Sequence, residues 1–399
     1  MCGIARGSGV YLKMHNIGIL GYGTVGSGVA EVAKETGFLH VKYILDIREI
    51  PSVSNIVNDI NILINDPEIK VICETMGGKE PAFTYTKLAL EKGISVCTSN
   101  KELVDAHGVE LSEIAKAHNC NYLFEASVGG GIPILRSLRQ SCSHEKITNV
   151  TGILNGTCNY ILTRMKSGQE FDDALKEAQA NGFAERNPAA DIEGHDTARK
   201  IAILASLVSG KKISYEKVLC EGITNISGRD FAYSEKLNMS IKLLGVYDSG
   251  QNKNYVLTAP FLVSAEHPLY NVNGVFNGIM IYGTMIDNLM FYGRGAGKLP
   301  TASAVISDVI ECIKESGRNI YNGLNEEILN VSDINQRRDK FFVRVYDSDL
   351  EKVLKSFGHV SDEIKLYSDE FAFITENITL EEFNKLSAGL EIKNKLRVL

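Results

Sequence analysis

The sequence predicts an α/β protein with a doubly wound parallel sheet over roughly its first 140 residues, an α+β segment after it and a small ferredoxin-like module at the end. Three observations carry this expectation. Ile- and Val-rich runs alternate with helical stretches in the first part, Gly-rich turns and longer elements take over from Thr148, and the last sixty or so residues follow a βαββαβ order.

Ile17 to Leu20 is a short apolar run, followed by a helical stretch from Thr24 to Glu35 and a strand over Val41 to Leu45, which make one βαβ unit. The alternation continues through Val71 to Cys73, helical Pro81 to Glu91, Ile94 to Cys97, helical Val109 to His118 and Tyr122 to Phe124. These strand runs do not alternate strictly with polar residues, as expected of strands covered on both faces. Beyond Thr148 come helices over Phe171 to Ala180 and Glu193 to Ser209 and strands over Tyr255 to Val263 and Val275 to Tyr282. After a Gly-rich turn and Pro300, Thr301 to Glu315 reads as an amphipathic helix. A mixed-charge linker, Asn322 to Lys340, leads to the last module. Its elements are strand Phe341 to Tyr346, helix Leu350 to Phe357, strands Ile364 to Tyr367 and Glu370 to Thr375, helix Glu381 to Leu386 and strand Leu396 to Leu399.

With 399 residues, 44% apolar and 23% charged, the chain has the length of two or three domains and an ordinary globular composition. Its 42 basic and 49 acidic residues give a net charge of −7 without a basic stripe, so no nucleic-acid partner is expected. The longest near-uninterrupted apolar run, Ile201 to Val208, falls well short of the roughly 18 to 20 residues that span a bilayer, so no membrane partner is expected either. Met1 to Lys13 has no secretory pattern, which makes the cytoplasm the expected location. Cys2, Cys73, Cys97, Cys120, Cys142, Cys158, Cys220 and Cys312 stand far apart without a C-x-x-C pair and are expected to be reduced and buried.

Gly21-Tyr22-Gly23-Thr24-Val25-Gly26 closes the first strand and opens the first helix, the setting of a dinucleotide-binding fingerprint. Gly21 serves the tight turn, Gly23 the approach of a pyrophosphate, and Gly26 the packing of helix on strand, with the helix N-terminus toward the phosphates. A purely structural glycine turn is the alternative. Twenty residues past Gly26, Asp46 ends the second strand, where a carboxylate accepts ribose hydroxyls and repels a 2′-phosphate. NAD is therefore expected ahead of NADP, with Arg48 close enough to meet that phosphate and a solvated strand end as the other reading of Asp46.

Thr98-Ser99-Asn100-Lys101 follows another strand at the edge where open sheets bind ligands, although a lone lysine there also reads as a solvated helix start. Glu125-Ala126-Ser127-Val128-Gly129-Gly130-Gly131-Ile132-Pro133 offers a carboxylate and exposed carbonyls to a hard cation, and reads equally as a plain loop. Asp196 and Lys200, four apart, share one face at the start of a helix made apolar by Ile201, Ile203, Leu204, Leu207 and Val208. That spacing suits an ordinary salt bridge or a desolvated lysine for acid–base work.

Together with Gly152-Ile153-Leu154-Asn155-Gly156-Thr157-Cys158-Asn159-Tyr160, Gly182 to Pro188, Asp191 to Lys200 and Tyr292-Gly293-Arg294-Gly295-Ala296-Gly297, these motifs resemble homoserine dehydrogenase from Asn16 to about Gly317. No aspartate kinase segment precedes them, so the monofunctional form is expected. The resemblance implies a Rossmann domain over residues 14–146, an inserted α+β substrate-binding and dimerisation domain over 147–299, a returning helix over 300–321 and an ACT-like module over 340–399. It implies NAD(P)-dependent interconversion of L-aspartate 4-semialdehyde and L-homoserine in threonine, methionine and isoleucine biosynthesis by a homodimer or homotetramer.

By motif position, Lys200 is the implied proton donor with Lys101 assisting, and Glu185, Asp196 and Thr157 are the implied substrate contacts. Gly21, Gly23, Thr24, Val25, Gly26, Asp46, Thr75, Ser99, Lys101, Gly182 and Gly297 are the implied cofactor contacts. Glu125 with the carbonyls of Val128, Gly130 and Ile132 matches the family's sodium site. Two positions depart from the family pattern. Asp46 stands where an arginine is often found, and Asp347-Ser348-Asp349-Leu350 lacks the Pro-Gly turn of an effector site, so the module is expected to contribute assembly, through strand edges that can pair between chains, or stability rather than strong threonine inhibition. A non-catalytic NAD-binding regulator is the competing class, and intact Lys200, Asp196 and Glu185 argue against it.

Overall fold

A computed structural model describes residues 13–51, 53–250, 253–358 and 360–399; Cys2 and most of the N-terminal tail lie outside them. The chain divides into two compact units. One takes the chain up to His144, Ser206–Ser214 and Gly293–Leu329, and the other takes Glu145–Ala205, Tyr215–Tyr292 and Asn330–Leu399.

The first unit is built on β1 (His15–Leu20), α1 (Thr24–Thr36), β2 (Leu39–Leu45), β3 (Ile56–Val57), α2 (Ile60–Ile64), β4 (Ile69–Glu74), α3 (Ala82–Glu91), β5 (Ser95–Thr98), α4 (Lys101–Ala117) and β6 (Tyr122–Leu123). Its six strands are parallel in the order β3-β2-β1-β4-β5-β6, the order of a dinucleotide-binding sheet. Leu20 is in register with Leu45 and Glu74, and Glu74 with Thr98, so the carboxyl ends of four strands line one edge. Ile17, Ile19, Val71, Cys73 and Cys97 of the sheet pack with Val29 and Ala33 of α1 and with Val305, Val309 and Cys312 of the helix Lys298–Lys314. Gly28 lets those two helices approach: a Cβ there would lie 2.8 Å from the Lys298 carbonyl oxygen.

The expected helix over Val109 to His118 is the second half of α4. The helix starts at Lys101 because the Asn100 side chain accepts the Leu103 N–H as its N-cap.

The second unit runs β7 (Ile147–Ile153), α5 (Gly156–Lys166), α6 (Phe171–Ala180), α7 (His195–Ser209, its last residues counted with the first unit), β8 (Met239–Asp248), β9 (Tyr255–Ser264), β10 (Phe276–Gly283) and β11 (Asp287–Arg294, Gly293 and Arg294 counted with the first unit). It continues with β12 (Arg338–Tyr346), α8 (Leu350–Phe357), β13 (Ser361–Tyr367), β14 (Glu370–Ile374), α9 (Leu380–Leu386) and β15 (Ile392–Val398). One sheet holds all these strands in the order β11-β10-β7-β8-β9-β15-β12-β14-β13.

The final βαββαβ segment is present, but it is not a free-standing module. β15 pairs in parallel with β9, Phe261 opposite Arg397, and Phe342, Ala372 and Leu396 share a core with Cys158, Ile161 and Leu162 of α5. The β15 edge of the segment is thus paired within the chain, and β13 is the strand left at that end of the sheet.

Six of the cysteines are buried free thiols as expected. Cys220 differs: it is half-buried on the two-residue strand Leu219–Cys220, with its Sγ 3.8 Å from His195 Nδ1. Among the described residues no helix is long and apolar enough to cross a membrane.

Candidate functional site

The glycine turn between β1 and α1 has the shape its sequence suggested. Gly21 is left-handed (φ 84°), and a Cβ there would lie 2.8 Å from Met76 Cγ. A Cβ on Gly26 would fall 2.0 Å from the Gly21 carbonyl oxygen, whereas nothing lies within 4 Å of one on Gly23. Helix α1 has no side-chain cap and no acidic residue in its first turn, so the N–H groups around Thr24 and Val25 face an open cradle suited to a pyrophosphate. Just after β4, the Thr75 hydroxyl donates to the Leu20 and Gly21 carbonyls and holds the turn.

A cavity of about 340 Å³ adjoins this turn, lined by Gly21, Tyr22, Gly23, Asp46, Arg48, Asn58, Thr75, Pro81 and Tyr85 among others. Asp46 Oδ2 accepts the Tyr22 N–H at 2.7 Å and Arg48 Nη2 at 2.8 Å, and Oδ1 accepts Arg48 Nε at 2.9 Å. The guanidinium of Arg48, ahead of the backbone N–H donors, holds the Asp46 carboxyl far below the usual carboxylate range. Arg48 Nη2 also donates to the Tyr22 carbonyl, which leaves Nη1 for an added phosphate. These residues fit a dinucleotide. Asn58, Pro81 and Tyr85 were not singled out from the sequence, because each reaches the cavity from a segment well separated from the glycine turn.

At the same sheet edge, Ser99 is half-buried after β5, its N–H donating to the Glu74 carbonyl at 3.2 Å, and Lys101 is the half-buried first residue of α4. Gly297 (φ 117°) is the N-cap of the helix Lys298–Lys314.

Glu125 and the loop after it lie in the first unit. The buried carboxylate accepts N–H groups of Leu135 at 2.9 Å and Arg136 at 2.6 Å, and the Glu125 N–H donates to Asp308 Oδ2 at 2.8 Å. Burial, with Asp308 beside it, pushes the Glu125 carboxyl up to about 7, and burial pushes Asp308 up to about 6. Val128 and Ile132 are buried, Gly130 is left-handed (φ 55°), and the Ile132 carbonyl accepts the Ile134 N–H. The Glu125 carboxylate and the main-chain carbonyls of the loop after it offer oxygen ligands only, the donor chemistry that suits a hard cation. Among the described residues no group of three or more His, Cys, Asp or Glu is placed to hold a metal, so a cation here depends on the main chain.

The second unit carries a buried polar cluster around Asn155, Asp196 and Lys200. Asn155 caps α5 by accepting the Cys158 N–H at 2.8 Å. Its amide donates to Asp191 Oδ1 at 2.7 Å and to Asp196 Oδ2 at 2.8 Å. That same Asp196 oxygen accepts Lys200 Nζ at 2.8 Å, and the Leu154 carbonyl accepts Lys200 Nζ at 2.9 Å. Asn155, Asp196 and Lys200 are all buried. An ammonium has three N–H groups, so one remains after Asp196 and Leu154 are served.

The Thr157 hydroxyl donates to the Phe183 carbonyl and so ties α5 to the loop that holds Gly182 (φ 71°) and the exposed Glu185, whose carbonyl accepts Gln179 Nε2. Sequence reasoning quoted Leu154, Asn155 and Asp191 within its motifs but gave none of them a role. Only the helix-capping preference of Asn155, immediately before Gly156, could have pointed to a role for it.

Two family models match the chain: "Homoserine dehydrogenase, NAD binding domain" over residues 21–125 and "Homoserine dehydrogenase" over residues 133–310. A homoserine dehydrogenase of Synechocystis is 38% identical over 96% of this chain and 99% of its own length, and one of Helicobacter pylori is 35% identical over 97% of both. Among solved structures, a homoserine dehydrogenase from Thiobacillus denitrificans superposes with a TM-score of 0.89 at 28% identity, covering 97% of this chain and 98% of its own. A hyperthermophilic archaeal homoserine dehydrogenase in complex with NADPH gives 0.66 at 28% identity, covering 76% of this chain and 98% of its own.

Proposed function

The chain belongs to the homoserine dehydrogenase family, oxidoreductases that interconvert L-aspartate 4-semialdehyde and L-homoserine with a nicotinamide cofactor, and we propose that Lys200 is the residue through which this chain exchanges the proton. The observation that carries the assignment is a buried Nζ fixed by Asp196 and Leu154 with one N–H left over. When bound, the nicotinamide would supply the hydride exchange at the carbon bearing the substrate oxygen. Lys200 gives a proton to that oxygen in the reducing direction and takes it back in the other. Lys101 assists by its positive charge on the nicotinamide side. Glu185, Asp196 and Thr157 hold the amino acid.

Gly21, Gly23, Thr24, Val25 and Gly26 receive the pyrophosphate, Asp46 the ribose, and Thr75, Ser99, Lys101, Gly182 and Gly297 the remainder of the cofactor. The ionised Asp46 supports NAD as the preferred cofactor, and Nη1 of Arg48 supports use of NADP as well. Glu125 with the carbonyls of Val128, Gly130 and Ile132 is the place for a sodium ion.

The exposed apolar side chains Leu289, Met290 and Tyr292 on the edge strand β11 support a homodimer or homotetramer. The C-terminal segment serves stability rather than an amino-acid effector. Asp349, in its first turn, is buried and takes the Glu391 N–H at 3.0 Å and Lys352 Nζ at 2.6 Å. A role in threonine, methionine and isoleucine biosynthesis and a cytoplasmic location accord with this reaction and with the free buried thiols.

Assaying the purified protein with homoserine and either NAD or NADP tests the reading. Homoserine-dependent reduction of both, faster with NAD, is expected; reduction of neither overturns it.

A further inference from the structure

We infer that Glu74 is a positioning residue of the cofactor site, a buried carboxylate that clamps together the two loops leaving β4 and β5. The inference rests on the cofactor reading of the first unit and adds a residue to it.

Glu74 is the last residue of β4 and is fully buried. Among the described residues no salt bridge reaches it. Burying a carboxylate without a cation is costly unless other donors replace its water. Here they come from both loops. Met76 N–H donates to Oε1 at 2.8 Å, and the Thr98 hydroxyl donates to Oε2 at 2.5 Å. Burial raises the proton affinity of Glu74, and these donors oppose the rise.

The link continues outward. Thr98 Oγ1 accepts the Asn100 N–H at 2.9 Å, Asn100 Nδ2 donates to the Gly78 carbonyl at 2.6 Å, and Asn100 Oδ1 caps α4, whose first residue is Lys101. On the other side, Met76 lies against the fingerprint turn, where a Cβ on Gly21 would meet it. Glu74 therefore fixes the segment that lines the nucleotide cavity relative to the turn that presents Ser99 and Lys101. A group placed only to fill the core would need no acceptor on each oxygen for donors from two loops.

The test is NADH binding, read by nucleotide fluorescence without amino-acid substrate, alongside steady-state kinetics. Glu74→Ala removes every acceptor at once and is expected to weaken NADH binding and raise the cofactor KM by about tenfold or more, as loss of a buried charged acceptor does. The homoserine KM is expected to stay within about twofold, and Glu74→Gln, which keeps one acceptor oxygen, to recover most of the binding. Thr98→Val cuts only the hydroxyl link and is the second variant should Glu74→Ala not fold; a several-fold loss of NADH affinity at near-parental thermal stability is expected. Folded variants with parental NADH affinity and cofactor KM would overturn the clamp while leaving the cofactor site in place. A parental protein that bound no NADH would overturn both.

Discussion

Asp196 Oδ2 stands 2.8 Å from Lys200 Nζ, one helical turn away on α7, with both side chains buried. At i and i+4 on a surface such a pair is worth a few tenths of a kcal/mol and says little. Buried here, and joined on the same oxygen by Asn155, it becomes a device for holding an ammonium in one orientation.

Asn155 is accordingly expected to matter to turnover. Asn155→Ala loses the α5 cap, at about 1 kcal/mol of stability, and the donor that holds Asp196, so turnover should drop by about tenfold or more. Asn155→Asp keeps an acceptor for the Cys158 N–H but cannot donate to the two carboxylates. It should retain most of the helix cap while still losing turnover, a comparison made by urea unfolding and steady-state assay.

Cofactor choice should follow Asp46 and Arg48. Asp46→Arg is expected to lower the KM for NADP and raise that for NAD, because the like-charge repulsion of a 2′-phosphate is removed. Arg48→Ala should raise the NADP KM more than the NAD KM. Measuring both constants for both variants checks this, and an unchanged ratio would remove the pair from the ribose site.

Lys242 of β8 is buried, its Nζ donating to the Val272 carbonyl and to Asn273 Oδ1, and burial, helped by Lys166, brings its ammonium down from 10.5 to about 7. Between those values the unfolded chain binds the proton and the folded one does not, so Lys242 makes stability rise with pH across that window. Below about 7 both states hold the proton and the burial penalty is fully present. Relative to Lys242→Met, the parent should gain up to about 1.4 kcal/mol per pH unit from pH 7.5 to 9.5 in urea unfolding. A constant difference between the two proteins would contradict this.

The C-terminal segment should behave as part of the second unit. Phe342→Ala, in a core shared with α5, is expected to cost about 3–5 kcal/mol of unfolding free energy. Threonine should leave the activity of the parent protein unchanged.

Much of the first unit was legible, because strand, glycine turn and helix follow one another within Ile17 to Glu35 and the strands that come after are continuous apolar runs. The Asp196–Lys200 contact was legible for the same local reason. What escaped depended on distance along the chain. Asn155 meets Asp191 and Asp196 across 36 and 41 residues, and β15 finds β9 across more than a hundred. The strand β11 gave no period-two signal, since Leu289, Met290, Phe291 and Tyr292 run together on a largely exposed edge. Glu74 lies one residue past the strand read from the sequence, and its partner Thr98 stands 24 residues further on.

The most direct test is Lys200→Ala, assayed for turnover and for NADH binding together. Removal of the acid–base group should reduce turnover by ~10²- to 10⁴-fold with NADH affinity and thermal stability near those of the parent. A folded variant that kept more than about a tenth of parental turnover would make Lys200 a salt-bridge partner of Asp196 and nothing more.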